Sequence, residues 1–76
     1  MRVHLSGHLN WYDPDKRTWV EVALAAPLPL REVLARLGVP ADQVAFLTVN
    51  NRLAELDGPP VSDADVIELF PPISGG

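Results

Sequence analysis

The chain has 76 residues, 47% of them apolar, a formal net charge of −4 and no cysteine. That length makes one domain, burying only roughly 60% of its unfolded surface, so hydrophobic patterning must hold it without disulfides or a thiolate zinc site. The missing cysteines also exclude a side-chain thiol nucleophile or persulfide, and the acidic balance argues against a nucleic-acid binder.

The first segment alternates, with Val3, Leu5, Gly7 and Leu9 on one side and Arg2, His4, Ser6, His8 and Asn10 on the other. Period two predicts a half-buried strand. If Leu9 faces the core, Trp11 continues that buried face, while Tyr12 and Trp19 face outward. Asp13-Pro14-Asp15-Lys16-Arg17 reads as a loop. Alternation resumes with Thr18, Val20, Val22 and Leu24 on one face, which completes a β-hairpin.

The period then changes. Leu30, Val33, Leu34 and Leu37 fall on one helical stripe. Pro29 stands at its start and Gly38 where a helix cap needs a positive φ. Val44 to Val49 predicts a third strand, Asn50-Asn51 a turn, and Arg52 to Leu56 a short strand. Asp57 to Pro60 is a loop and Ser62 to Asp65 a turn. Val66 to Phe70 closes the series, with Ile67 and Leu69 inward and Val66, Glu68 and Phe70 outward. The last strand is expected beside the first and parallel to it. The expected class is α+β, a β-grasp with a mixed sheet of four to five strands packed on one helix. Its expected core contains Val3, Leu5, Val20, Val22, Leu30, Val33, Leu34, Leu37, Ile67 and Leu69.

The chain ends in Phe70-Pro71-Pro72-Ile73-Ser74-Gly75-Gly76. Two prolines lack backbone donors and fix φ, so they end a strand and extend the chain outward. Two glycines then offer a tip with no Cβ, fit for threading a terminal carboxylate into a narrow site. The expected division is a β-grasp domain over residues 1–70 and a flexible tail over 71–76. A frayed terminus is the plain alternative.

At these motifs the chain resembles the MoaD/ThiS family of ubiquitin-like sulfur carriers. Val49-Asn50-Asn51 is similar to that family's V-N-G turn, and Asp57-Gly58-Pro59-Pro60-Val61 to its D-x-P-L segment. Ser62-Asp63-Ala64-Asp65-Val66 is similar to its D-G-D-E-V turn, and Leu30-Arg31-Glu32-Val33-Leu34 to its helix start. The ending resembles the F-P-P-V-[SA]-G-G of the small subunit of molybdopterin synthase. Asn51 and Ala64 replace two family glycines, and the Trp11, Tyr12 and Trp19 region is longer and more aromatic than the family pattern.

The resemblance implies a carrier with no catalytic machinery and no bound cofactor of its own. A ubiquitin-activating-type adenylating enzyme would use ATP to convert the Gly76 carboxylate, presented by Gly75, to an acyl-adenylate. A sulfur donor would then displace AMP to leave a thiocarboxylate. Phe70, Leu53, Pro71, Pro72, Ile73 and Ser74 are the implied partner-binding residues, with Phe70 exposed in the free chain. The large subunit of molybdopterin synthase is a second implied partner. Alternatives are a ubiquitin-like protein modifier, a carrier for thiamine or tRNA thiolation, and an interaction module with an inert tail.

No metal site is expected. His4 and His8, placed on one strand, would stand roughly 13 Å apart, too far for one ion. Asp63 and Asp65, beside Glu68, read as turn residues, as do Asp13 and Asp15. No stretch approaches a membrane span, and no apolar region follows Met1-Arg2-Val3-His4 as a signal peptide requires, so the expected location is the cytoplasm.

Overall fold

A computed structural model describes residues 1–72. In chain order it contains β1 (Arg2–Leu5), a 3-10 helix (Gly7–Tyr12), β2 (Trp19–Glu21), α1 (Leu30–Leu37), a 3-10 turn (Ala41–Gln43), β3 (Phe46–Val49), β4 (Arg52–Ala54) and β5 (Val66–Phe70). The five strands form one mixed sheet in the order β2-β1-β5-β3-β4. β1 and β5 run parallel, in the register Val3↔Ile67 and Leu5↔Leu69, and the other pairs are antiparallel. This is the β-grasp arrangement, with one helix over one face of the sheet.

The period-two residues of the strands meet the helical stripe of α1. Val3, Leu5, Val20, Leu47, Ile67 and Leu69 pack with Leu30, Val33 and Leu34 in a single core. Val22 and Leu37, expected inside, are only half-buried at its margin. Leu9 of the 3-10 helix completes the core, together with Met1, Leu24, Val39 and Val61 from outside the strands and helices.

The helix ends as its sequence requires. Gly38 adopts φ 74° and its N–H bonds the Ala35 carbonyl at 3.2 Å. The Val39 N–H reaches back to the Leu34 carbonyl at 3.0 Å, and both side chains are buried. These two bonds satisfy carbonyls that the helix end would otherwise orphan. The β3–β4 turn is as specific. Asn50 and Asn51 have φ 52° and 68°, the pair of positive values that a two-residue hairpin matched to strand twist needs. The Asn50 amide also ties the turn to β5, accepting from the Val66 N–H and donating to Asp65, both at 2.9 Å.

The structure corrects the first hairpin. The initial strand stops at Leu5 and does not run to Asn10. Gly7 turns the chain at φ 57° into the 3-10 helix, which swings Leu9 back under the core. Trp11 therefore leaves the buried face and is 69% exposed. β2 is likewise shorter than the Thr18–Leu24 alternation suggests. Beyond Glu21 the chain is pinned by other means, among them the Leu24 N–H donating to Asp63 at 2.8 Å.

The loop between them is organised by Asp13, the one buried charged residue among those described. Its carboxylate accepts the Asp15 and Arg17 backbone N–H groups, and the Arg17 guanidinium in a two-pronged contact at 2.9 and 3.0 Å. The guanidinium, then the Arg17 backbone N–H, hold the Asp13 carboxyl well below the usual carboxylate range, against the opposing effect of burial. A lowered folded-state value means that the contribution is fully present above the unfolded value near pH 4 and is lost as pH falls through the folded value.

Two outcomes follow. Leu34, at 2% exposure, should cost about 2–5 kcal/mol when truncated to alanine, read from urea unfolding. Asp13→Asn should lower stability at neutral pH. Below about pH 4 the difference from wild type should shrink, as followed by thermal midpoints across an acid titration.

Candidate functional site

Among the described residues, the side of the sheet away from α1 carries exposed side chains, Trp19, Phe46 and Leu53 among them. Strand alternation places Phe46 and Thr48 of β3, Val66, Glu68 and Phe70 of β5, and Leu53 of β4 there. Phe46 and Phe70 are directly opposite in the antiparallel β3–β5 pair. Their rings stack with centroids 4.5 Å apart at an interplanar angle of 10°. Leu53 stands opposite Thr48 in the next strand and is 76% exposed, and Phe46 is 44% exposed. Phe46 and Leu53 also line a shallow groove at the β3–β4 edge with Leu56 and the Arg31–Asp57 ion pair. That pair is bidentate, at 2.7 and 3.0 Å, and each member moves the other's titration toward the charged form.

Sequence reasoning expects Phe70 and Leu53 in one docking patch, and the structure brings them to one face. It also modifies the expectation. Phe70 is half-buried because Phe46 covers one side of its ring. Phe46 is the residue that sequence reasoning misses. Its signal would have been the β3–β5 register, which sets it against Phe70.

The root of the tail adjoins this patch. The two final carbonyls of β5 are held from opposite edges. Ser6 N–H donates to Leu69 at 3.1 Å and Ala45 N–H to Phe70 at 2.8 Å. Pro71, with no N–H to continue the ladder, then leaves the sheet. Pro71 is half-buried and Pro72 exposed. Ile73, Ser74, Gly75 and Gly76 lie outside the described residues.

The other candidates separate. His4 is on β1, where Ser6 Oγ lies 3.0 Å from its Nδ1 and its ring packs on Trp19 with centroids 4.7 Å apart. His8 falls on the 3-10 helix and not on the same strand, 3.4 Å from the Gln43 side chain. Arg2 lies over the outward-facing Trp19 ring at 4.4 Å. Tyr12 faces outward as expected, and Trp11 is accompanied by Lys16 at 5.4 Å. Asp63 and Asp65 are structural. Asp63 accepts the Leu24 N–H, and Asp65 accepts the Ser62 N–H and the Asn50 amide, contacts that lower both titrations. Among the described residues no group of three or more His, Asp or Glu is placed to hold a metal ion, and no helix is long and apolar enough to cross a membrane.

A family model described as the ThiS family matches residues 15–76. No curated protein gives a match.

The geometry of the patch separates two of its members by variant. Leu53→Ser should leave the thermal midpoint close to wild type, since the side chain is already in solvent. Phe70→Ser should lower it measurably, because a stacked aromatic pair contributes about 0.5–1.5 kcal/mol beyond its buried area.

Proposed function

The chain belongs to the ThiS family of ubiquitin-like sulfur carriers, and from that premise we propose that Gly76 is its reactive end. The Gly76 carboxylate attacks the α-phosphorus of ATP on an adenylating enzyme of the ubiquitin-activating type and releases pyrophosphate. A sulfide-level donor then attacks the acyl carbonyl and expels AMP, leaving a thiocarboxylate. The sulfur is delivered in assembly of the molybdenum or tungsten pterin cofactor, with the large subunit of molybdopterin synthase as the receiving partner.

The observation that carries this reading is where the tail begins. β5 is the central strand, its last carbonyls are held on both edges, and the chain leaves it beside the Phe46–Phe70–Leu53 patch. A partner that grips the patch has the tail root at a fixed place relative to its own active site. Such positioning reduces the entropy cost of bringing carboxylate and nucleotide together. The absence of cysteine supports the same reading, since no side-chain thiol is present to carry a persulfide. The choice of pathway rests on the Phe70-Pro71-Pro72 ending, which resembles the molybdopterin branch more than the thiamine branch.

The test is intact mass spectrometry after incubation with the adenylating enzyme, ATP and a sulfur donor. One oxygen at the C-terminus should be replaced by sulfur, and the product should support molybdopterin formation with the large synthase subunit. Deleting Gly76 draws the carboxylate back by roughly 3.3–3.6 Å and should abolish the exchange while the fold persists. Sulfur gained equally by the deletion variant overturns Gly76 as the reactive end. Attachment to lysines of other proteins, without sulfur transfer, would make the chain a protein modifier instead.

A further inference from the structure

Gly7 is the point where the chain leaving β1 meets the Pro71 ring. Two residues past β1 it opens the 3-10 helix with a left-handed φ of 57°, and that helix carries Leu9 into the core. The outgoing chain crosses it at the same place. A Cβ on Gly7 would stand 2.7 Å from Pro71 Cγ and 3.4 Å from Pro71 Cδ. The first distance is shorter than side chains tolerate, so any other residue must push the proline ring away. The backbone that leads into Pro71 is held. The residue before it has its carbonyl bonded to Ala45, and the Leu69 carbonyl is bonded to Ser6, the neighbour of Gly7. The ring of Pro71 itself fixes its φ.

Resting on the reading that Gly76 is adenylated, we propose that Gly7 is a positioning residue: its bare Cα seats the Pro71 ring and so sets the direction in which the tail leaves the domain. A displacement at Pro71 shifts the point from which the tail starts. The docking patch lies on the open face of β3, β4 and β5. A substitution at Gly7 therefore misaims the reacting end while leaving the gripping surface intact.

Gly38 supplies the control that a merely structural role requires. It has a comparable φ of 74°, yet a Cβ there would meet nothing within 4 Å, and it caps the helix away from the tail root. Gly7→Ala and Gly38→Ala thus impose similar left-handed strain, and only the first adds a collision with Pro71. Gly7→Asn is the second variant at the site, because asparagine tolerates the left-handed region but still carries the Cβ.

The measurement is steady-state ATP–pyrophosphate exchange with the full-length chain and the adenylating enzyme, restricted to variants that thermal unfolding shows to be folded. Gly7→Ala and Gly7→Asn should lower kcat roughly tenfold to a hundredfold, the scale expected for an ångström-size misplacement, with little change in KM. Gly38→Ala should keep wild-type turnover. Introducing Pro71→Ala, which removes Cγ and Cδ, should erase most of the Gly7→Ala penalty. Wild-type kcat for both Gly7 variants, or an equal Gly7→Ala penalty with proline or alanine at 71, overturns the proposal.

A parallel NMR measurement keeps this separate from the functional reading. In the free wild-type chain the Gly7 Hα protons should show contacts to the Pro71 ring. Gly7→Ala should shift the Pro71 and Pro72 carbon signals, and Gly38→Ala should not. If the wild-type chain supports no exchange at all, the adenylation reading fails and the NMR result alone decides the seat. Unshifted Pro71 and Pro72 signals in Gly7→Ala refute it.

Discussion

The structure depends on β5, the last of the described strands, which lies in the middle of the sheet. β5 bonds to β1 on one edge and to β3 on the other, and Ile67 and Leu69 have no solvent exposure. Neither flank can bury its apolar face without it. β1 and β2 form one antiparallel pair and β3 and β4 another, and two-stranded ribbons are marginal in water. β5 unites them into a surface wide enough for the single short helix to cover. That helix has only eight residues and depends on packing for its stability.

The same constraint orders the site. A central strand is hydrogen-bonded on both edges, so its end is the least mobile place from which a tail could emerge. Its outward residues also occupy the middle of the open face, which explains why the stacked Phe46–Phe70 pair and the tail root are neighbours. Recognition and reaction can then be divided. On the proposed function, Leu53 and the aromatic pair would offer a grip, and the residues after Pro71 would carry the chemistry. On the same proposal, the seat of Pro71 against Gly7 would join these two tasks.

Much of this is legible in the residues themselves. The helix shows because its apolar residues recur at helical spacing between Pro29 and Gly38, and β5 shows because Ile67 and Leu69 alternate cleanly with their neighbours. The 3-10 helix is hidden because Leu9 is in phase with Val3 and Leu5. A longer strand and a tight helical turn both ask for that residue to be buried, and only the glycine at 7 distinguishes them. Trp11 inherits the ambiguity. Phe46 is hidden for a different reason. Val44 to Val49 is apolar on both faces apart from Thr48, so its outward member becomes visible only when the pairing with Phe70 is known. Asp13 reads correctly as a loop residue, but its grip on Arg17 depends on the local path of the loop, including the left-handed Lys16. The reading of Ile73 to Gly76 rests on their sequence, since they lie outside the described residues.

The position of β5 also has a consequence for how the protein is made. A ribosome releases the N-terminal pair and the helix first, but the strand that must lie between β1 and β3 is the last to appear. The nascent domain cannot close its sheet until synthesis has passed Phe70, and such long-range pairing is intrinsically slow. Any product that terminates earlier keeps two unpaired inner edges and an open core, the features that invite proteolysis and aggregation. Folding thus requires translation through β5: a copy that survives in the folded pool contains the strand that bears the tail.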